Sequence, residues 1–352
     1  MRRLAAAVIL IAVACGEQPA VPRPSPSIAA QQAPATAAAL SLDEEVGAVI
    51  MAGFQGPLTD AVLADWRQRR FGGLLVVNLN ANATSGAAMS DLISRVRAAQ
   101  GRRLLAATDQ EGGQICVALA EVPCLAMPVD GPGSTRMAAA LRAVGFDVDL
   151  GPVADVCPGP ASYMWGRCYG TDPAAVSQAV GAAVDGIHAG HELAAAKHFP
   201  GHGSANGNSH EELPSVAADL ATLQARDWPP FKAAVAHGVD FVMLGHLSVP
   251  ALSSGGPSSL SPVTVQRLRQ DVGFQGPIIS DDLEMKAVTD SVPTPEAAID
   301  FLLNGGDLVM IAHNLGVADA VFDAIKAAVL SGRLPRERLD QAVAALDALR
   351  TA

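Results

Sequence analysis

The sequence predicts an α/β protein folded as a single (β/α)8 barrel of the TIM type. Eight short apolar runs of strand length recur along it, and amphipathic stretches of helix length lie between them. Alternation of strand and helix favours parallel strands joined by helical crossovers. Eight such units in roughly 310 residues fit a closed barrel. A doubly wound open sheet is the alternative, but no Gly-x-Gly-x-x-Gly follows an early strand.

The apolar runs and amphipathic stretches place the individual elements. The eight predicted strands are Val46–Ala52, Gly73–Asn78, Leu104–Thr108, Phe146–Val153, Leu193–His198, Asp240–Gly245, Pro277–Ser280 and Asp307–Ala312. The clearest predicted helices are Asp60–Arg70, Ser85–Gln100, Pro173–Ala189, Leu220–His237 and Pro335–Leu349. The last of these starts at Pro335 because proline suits a first helical position.

Composition limits the class of protein. The chain has 352 residues, 50% of them hydrophobic, and a formal net charge of −11. That length allows one large domain or two small ones. An acidic chain without a basic run argues against nucleic acid as a partner.

The first residues resemble a secretory signal. Arg2 and Arg3 precede the apolar run Leu4–Ala14, which is too short for a normal membrane-spanning helix. Cys15 stands where a bacterial lipobox has its cysteine, so residues 1–15 predict export and lipidation of Cys15. Ordinary signal cleavage nearby, with Cys15 incidental, is the alternative.

A tether is predicted between this signal and the folded domain. Residues 16–40 are rich in Pro, Ala, Gln and Ser, a composition that cannot bury a core. The folded domain is predicted to span residues 41–352. We therefore expect an extracytoplasmic, monomeric protein held at the membrane by its N-terminal lipid.

Four further cysteines lie in the domain, and export makes disulfides expected. The pairing of nearest neighbours in sequence is the simplest prediction: Cys116 with Cys124, and Cys157 with Cys168. A metal site made of four thiolates is less favoured, because no Cys-x-x-Cys spacing occurs.

Polar and ionisable residues follow nearly every predicted strand at the same end. These are Asp109 and Glu111, Asp155 and Arg167, Lys197 and His198, His246, Asp281 and Asp282, and His313. In a parallel barrel the strand ends share one face, which is where active sites lie, so one common site is predicted there. Individual members such as Asp155, Asp282 or His313 could instead cap helices or serve as structural hydrogen-bond partners.

The segment of residues 191–214 carries the densest set of candidates. Lys197 and His198 end an apolar strand, and a loop rich in Gly and Asn then runs to His210. Glycines at positions such as Gly201 let this loop bend tightly or move.

These motifs together resemble one known family. They are, in order, Asp109-Gln110-Glu111-Gly112-Gly113, Gly166-Arg167, Lys197-His198-Phe199-Pro200-Gly201-His202-Gly203, Ser209-His210 and Ser280-Asp281-Asp282-Leu283. The set is similar to the bacterial β-N-acetylglucosaminidases of glycoside hydrolase family 3, over about residues 41–350. The resemblance implies a barrel and a retaining exo-glycosidase that removes terminal N-acetylglucosamine, often from peptidoglycan fragments, without a cofactor or a metal.

The resemblance also assigns roles to positions of this chain. It implies that Asp281 is the nucleophile and that His210 is the acid/base. The sugar-binding positions that it implies are Asp109, Arg167, Lys197, His198 and His246. A strand-end carboxylate can be held in line with the anomeric carbon, and histidine titrates near neutrality, so it can both give and take a proton.

Two positions depart from the family pattern. The family has Asp-Ser-His where this chain has Asn208-Ser209-His210. An Asp there orients the imidazole and favours its protonated form, whereas Asn208 carries no charge; we expect slower turnover or altered chemistry. The family commonly has Arg after Glu-Gly-Gly, where this chain has Gln114, which leaves substrate contacts beyond the first sugar open.

Three alternatives to a retaining glycosidase remain at this stage. One is a glycan-binding lipoprotein with reduced or lost activity, and another is a glycoside phosphorylase, because a neutral histidine base repels phosphate less than a carboxylate does. The third is a metal hydrolase using histidines and Asp281, which the motif spacing does not favour.

Overall fold

The computed structural model describes residues 40–253 and 255–350. Over these residues eight parallel strands form a closed barrel in chain order, and the last strand pairs with the first. The strands are β1 Ile50–Ala52, β2 Gly73–Val76, β3 Leu105–Thr108, β4 Val148–Asp149, β5 Leu193–Phe199, β6 Phe241–Leu244, β7 Ile278–Asp282 and β8 Leu308–Ile311. This confirms the predicted TIM-type barrel.

Helices connect the strands and surround the barrel. They are α1 Leu42–Ala48, α2 Asp60–Arg69, α3 Gly86–Gln100, α4 Gly131–Val144, α5 Pro173–Ala189, α6 Leu220–Thr222, α7 Pro229–Ala236, α8 Pro262–Arg267, α9 Lys286–Thr289, α10 Thr294–Leu303, α11 Leu315–Leu330 and α12 Arg336–Arg350. Within the described residues, no helix is both long and apolar enough to span a membrane.

Three predicted elements differ clearly from the observed ones, and the first is the strand predicted at Phe146–Val153, which is only Val148–Asp149 in the structure. The strand predicted from Val46 begins only at Ile50, because Ser41 and Glu44 form a capping box that starts α1 at Leu42. A short apolar run does not by itself distinguish a buried helix turn from a strand. The long helix predicted up to His237 is split by a π-helical turn at Leu223–Asp227, just before Pro229 restarts it as α7.

The strand ends next to the site are irregular. The register of β5 with β6 shifts between Ala196 and Phe199, and that of β7 with β8 shifts between Ile279 and Asp282. Such bulges re-aim side chains at the rims of barrels. Lys197, His198 and Asp281 all lie on these irregular segments, so the bulges help to direct their side chains.

The structure contains both predicted disulfides, Cys116–Cys124 and Cys157–Cys168. Each closes a loop at the C-terminal face of the barrel, after β3 and β4 respectively. The predicted signal, the lipidated Cys15 and the tether lie outside the described residues, apart from Leu40.

Candidate active site

A cavity of about 540 Å³ opens at the C-terminal face of the barrel. Eight residues are predicted at the site when Asn208 is counted with the catalytic His210, and six of them line the cavity: Asp109, Arg167, Lys197, His198, His210 and Asp281. The strands and the loops after them bring these residues together from positions up to 172 apart in sequence. The common site predicted from the strand ends is therefore a single cavity.

Lys197 is the centre of a buried network of charges. Its Nζ lies 2.5 Å from Asp109 Oδ1 and 2.6 Å from Glu111 Oε1. Arg167 donates two hydrogen bonds of 2.7 Å to the two oxygens of Glu111. Two cations thus face two carboxylates, and Glu111 binds both cations. Such a bidentate pair has a fixed geometry and holds the cluster rigid.

The network keeps Glu111 and Lys197 ionised in spite of burial. Burial alone would raise the pKa of Glu111, but Arg167 and Lys197 outweigh it and hold that pKa well below its usual range. Burial would lower the pKa of Lys197, but Asp109 and Glu111 raise it. Glu111 and Lys197 therefore carry full charges at neutral pH, and charged groups make stronger hydrogen bonds than neutral ones.

A second pair, Asp155 and His198, lies beside this network. Asp155 is fully buried, and its Oδ2 is 2.8 Å from His198 Nδ1. Arg167 Nη2 lies 3.3 Å from the other ring nitrogen of His198, and a guanidinium can only donate. His198 Nε2 is therefore the acceptor, and its proton lies on Nδ1, where it is donated to Asp155. Asp155 also accepts from the backbone N–H of His202 at 2.6 Å, so it holds the turn after β5 in place.

His202 is a further histidine on the cavity wall. Burial, together with the neighbouring His198, lowers its pKa to about 4, so its ring is neutral. The turn that carries it approaches the β4 loop closely, and a Cβ on Gly203 would lie 2.2 Å from the Val156 carbonyl oxygen. Position 203 requires glycine because a side chain would collide with this carbonyl oxygen, and not because the backbone needs flexibility.

Asp281 lies at the cavity and is 7% exposed. The backbone N–H of Asp282 donates to its Oδ1 at 2.8 Å, and no partner of its other oxygen is seen among the described residues. Burial favours the neutral acid, but His198, His246 and the Asp282 N–H lower its pKa below the ordinary value. Asp281 is thus an ionised carboxylate with one oxygen anchored and the other available to a ligand.

His210 lies on the loop after β5, exposed at the cavity mouth. Asn208 Oδ1 accepts from the backbone N–H of His210 at 3.1 Å, and its amide donates to Glu211 at 3.2 Å. Asn208 itself is not among the cavity-lining residues. The amide therefore shapes the turn that carries His210 rather than contacting the imidazole.

His313 faces the same mouth from the loop after β8. The Asn80 amide donates to Ala312 O, which leaves Asn80 Oδ1 to accept from His313 Nδ1 at 2.7 Å. His313 Nε2 then points towards Asp282 Oδ2 at 3.8 Å. Burial raises the pKa of Asp282 to about 7.

A family model fits this chain over almost the whole barrel domain. The model described as the glycosyl hydrolase family 3 N-terminal domain matches residues 41–349. The chain belongs to glycosyl hydrolase family 3. This confirms the family that the sequence motifs indicated.

Related proteins carry hexosaminidase names. A β-hexosaminidase of Stenotrophomonas maltophilia (strain R551-3) is 31% identical over 313 residues, 83% of this chain and 92% of its own length. The β-hexosaminidase LpqI of Mycobacterium tuberculosis is 36% identical over 210 residues, 58% of this chain and 54% of its own length. The chain thus matches about half the length of that mycobacterial relative.

Solved family 3 structures have the same fold. A family 3 β-N-acetylglucosaminidase from Paenibacillus superposes with a TM-score of 0.84 at 30% identity, covering 89% of this chain and 62% of that one. M. tuberculosis LpqI superposes with a TM-score of 0.79 at 26% identity, covering 88% of this chain and 94% of that one.

One of the predicted sugar-binding residues of this family 3 chain lies apart from the cavity. His246 is fully buried behind it, with Nδ1 2.7 Å from Ser259 Oγ and Nε2 3.1 Å from the Asp282 carbonyl oxygen. Both ring nitrogens are therefore occupied within the protein. Its contact with Asp282 places it as a support for the strand end that carries Asp281.

The sequence placed Glu111 among the strand-end polar residues but gave it no role, although it binds both buried cations. One signal was present: Glu111 belongs to the same motif as Asp109 and follows the end of β3 by three positions. The sequence left open whether Asp155 has a structural or a functional role. Only its contact with His198 in the structure decides between the two.

Proposed function

We propose that this protein is a retaining exo-β-N-acetylglucosaminidase. The observation that carries the proposal is Asp281, an ionised carboxylate with one free oxygen in the cavity of a family 3 barrel. The hexosaminidase and N-acetylglucosaminidase names of the relatives support the choice of sugar.

The first step forms a covalent sugar–enzyme ester. The free oxygen of Asp281 attacks the anomeric carbon while the bond from that carbon to the leaving oxygen breaks. His210 gives its proton to the leaving oxygen, so the aglycone departs as a neutral alcohol. The exposed position of His210 at the cavity mouth supports this role on the leaving-group side.

The second step reverses these roles. His210, now neutral, takes a proton from a water molecule whose oxygen attacks the anomeric carbon, and the ester bond to Asp281 breaks. Two inversions give net retention. The sugar is freed as the β-anomer, and Asp281 and His210 return to their starting states.

The charged network holds the sugar during both steps. Lys197 and Arg167 donate to sugar hydroxyls, and Asp109, whose side chain is 30% exposed, accepts from them. Since Glu111 and Asp155 fix these groups from behind, little ordering is required when the sugar binds.

The natural setting that we propose is the cell envelope. The signal-like N-terminus with Cys15 would place the domain outside the cytoplasm on a lipid anchor, where glycans derived from peptidoglycan are the substrates. Terminal N-acetylglucosamine of such fragments fits an exo-acting cavity.

Proton NMR during hydrolysis of N,N′-diacetylchitobiose tests the reaction directly. We expect β-N-acetylglucosamine to form first and to mutarotate later. Initial formation of the α-anomer would overturn the retaining mechanism, and absence of any product would favour a glycan-binding protein.

Repeating the reaction with inorganic phosphate distinguishes a phosphorylase, which would release a sugar 1-phosphate. Loss of activity with a chelator would favour a metal hydrolase.

A further inference from the structure

Large exposed hydrophobic side chains concentrate at the mouth of the active-site cavity. Among the described residues six are exposed, and Leu79, Tyr163 and Trp165 are the three of them that line this cavity. Trp165 is 40% exposed and Tyr163 is 50% exposed, whereas Trp66 and Trp228 are fully buried. Exposed aromatic clusters in a soluble protein mark binding surfaces.

The loop that carries the two aromatic residues is anchored from below. Met164, between them, is fully buried in a small apolar cluster with Val153 and the Cys157–Cys168 disulfide. Ser162 donates to the Gly203 carbonyl oxygen at 2.6 Å, which ties the loop to the turn after β5. The two rings are thus presented on a braced loop, so binding to them needs little ordering of the chain.

The loop that carries Tyr163 and Trp165 continues to Arg167, which belongs to the charged network of the proposed sugar site. Arg167, which binds Glu111, is two residues after Trp165. Trp165 also borders a second cavity of about 550 Å³, which shares Gln114 and Gly166 with the first. Cys124 and Cys168, one from each disulfide, are among the residues that line the second cavity, and none of its lining residues carries a charged side chain. A ligand that passes over Trp165 therefore leaves the charged site and enters an uncharged one.

We propose that Trp165, with Tyr163 two residues before it on the same loop, is the platform for the sugar ring on the leaving-group side of the scissile bond. This proposal rests on the proposed function. The occupant is a second, uncharged pyranose ring, whose C–H face packs on an aromatic plane while its hydroxyls stay in water. Gln114 lies between the two cavities and supplies an amide to that ring, where the family commonly has an arginine.

Kinetics with two substrates test the platform. Methyl N-acetyl-β-D-glucosaminide has no second ring, whereas N,N′-diacetylchitobiose has one. We expect Trp165→Ala to lower kcat/KM about tenfold more for the disaccharide than for the methyl glycoside, and Trp165→Phe to restore part of the difference. Leu330→Ala removes a 71% exposed side chain on α11 and serves as the control. Equal effects of Trp165→Ala on both substrates would overturn the platform while leaving the hydrolase function standing.

Fluorescence tests the platform without turnover. Trp165 is the exposed one of the three tryptophans in this chain, so it dominates any change in emission when a ligand binds. In an Asp281→Asn background, we expect N,N′-diacetylchitobiose to shift the emission and the added Trp165→Phe change to abolish that shift. A shift that survives Trp165→Phe would refute the assignment, even if the native protein proved to have no hydrolase activity.

Discussion

The side-chain oxygen of Asn208 accepts a hydrogen bond from the backbone N–H of His210 at 3.1 Å. This two-residue turn sets where the candidate acid/base stands at the cavity mouth. An aspartate could accept the same bond, so Asn208→Asp would change the charge at this position while keeping this turn.

Asn208→Asp would place a carboxylate near the imidazole and favour its protonated form. We expect turnover to rise more on N-acetylglucosaminyl disaccharides than on nitrophenyl glycosides, since an activated leaving group needs little protonation. The alkaline limb of the pH profile, where the acid loses its proton, should move to higher pH. Asn206→Asp adds the same charge at an exposed position of the same loop and is the control. If neither the leaving-group dependence nor the profile changes, Asn208 does not act on His210.

Asp281→Ala should abolish nearly all turnover while leaving the fold intact, because it removes the covalent step. Initial rates and circular dichroism measure the two effects. The matched control is Asp91→Ala on α3, where the carboxylate is 68% exposed and its pair with Arg95 contributes little. Near-normal activity of the Asp281 variant would exclude the proposed mechanism.

Glu111→Gln should destabilise the protein by about 3–5 kcal/mol at neutral pH, since it leaves Lys197 and Arg167 buried without their shared carboxylate. Folding depresses the pKa of Glu111, so its contribution is complete above the unfolded value near 4.5 and declines as pH falls below it. Denaturant unfolding at several pH values should therefore show the difference from native protein shrinking in acid. Glu337→Gln, at an exposed position on α12, should cost little at any pH. A constant difference across pH would contradict the role of charge.

Thiol labelling of the exported protein should modify none of the four domain cysteines until a reductant is added. Paired Cys157→Ser and Cys168→Ser changes should cost about 2–4 kcal/mol of stability. They should also weaken disaccharide binding, because this disulfide braces the loop that carries Trp165. Labelling of all four cysteines in the native protein would show that the bridges are absent.

Cys15→Ser should release the protein into the soluble fraction, because a lipidated cysteine would be its membrane anchor. A single acyl chain binds weakly, so firm retention requires the complete multi-chain lipid. Fractionation and mass spectrometry of the N-terminal peptide measure the outcome. Unchanged fractionation would disprove the anchor.

The barrel could be predicted from the sequence because the apolar runs mark the buried strands, and the spacing between the runs leaves room for a helix after each strand. The motif residues at the ends of the strands, such as Asp281 and Lys197, could also be placed at one face, because the ends of parallel strands meet there. Local sequence also predicted the disulfides, since both pairs are near neighbours in the chain.

Pairings between distant segments required the tertiary structure. Glu111 binds Arg167 from 56 positions away, and Asp155 binds His198 from 43 positions away. The sequence predicts that His246 is another sugar-binding residue at a strand end. In the structure its two ring nitrogens are hydrogen-bonded to Ser259 and to the Asp282 carbonyl oxygen. A strand end determines that a polar side chain reaches the rim of the barrel. Which partner it meets there depends on loop paths and bulges, which bring together residues that no local pattern connects.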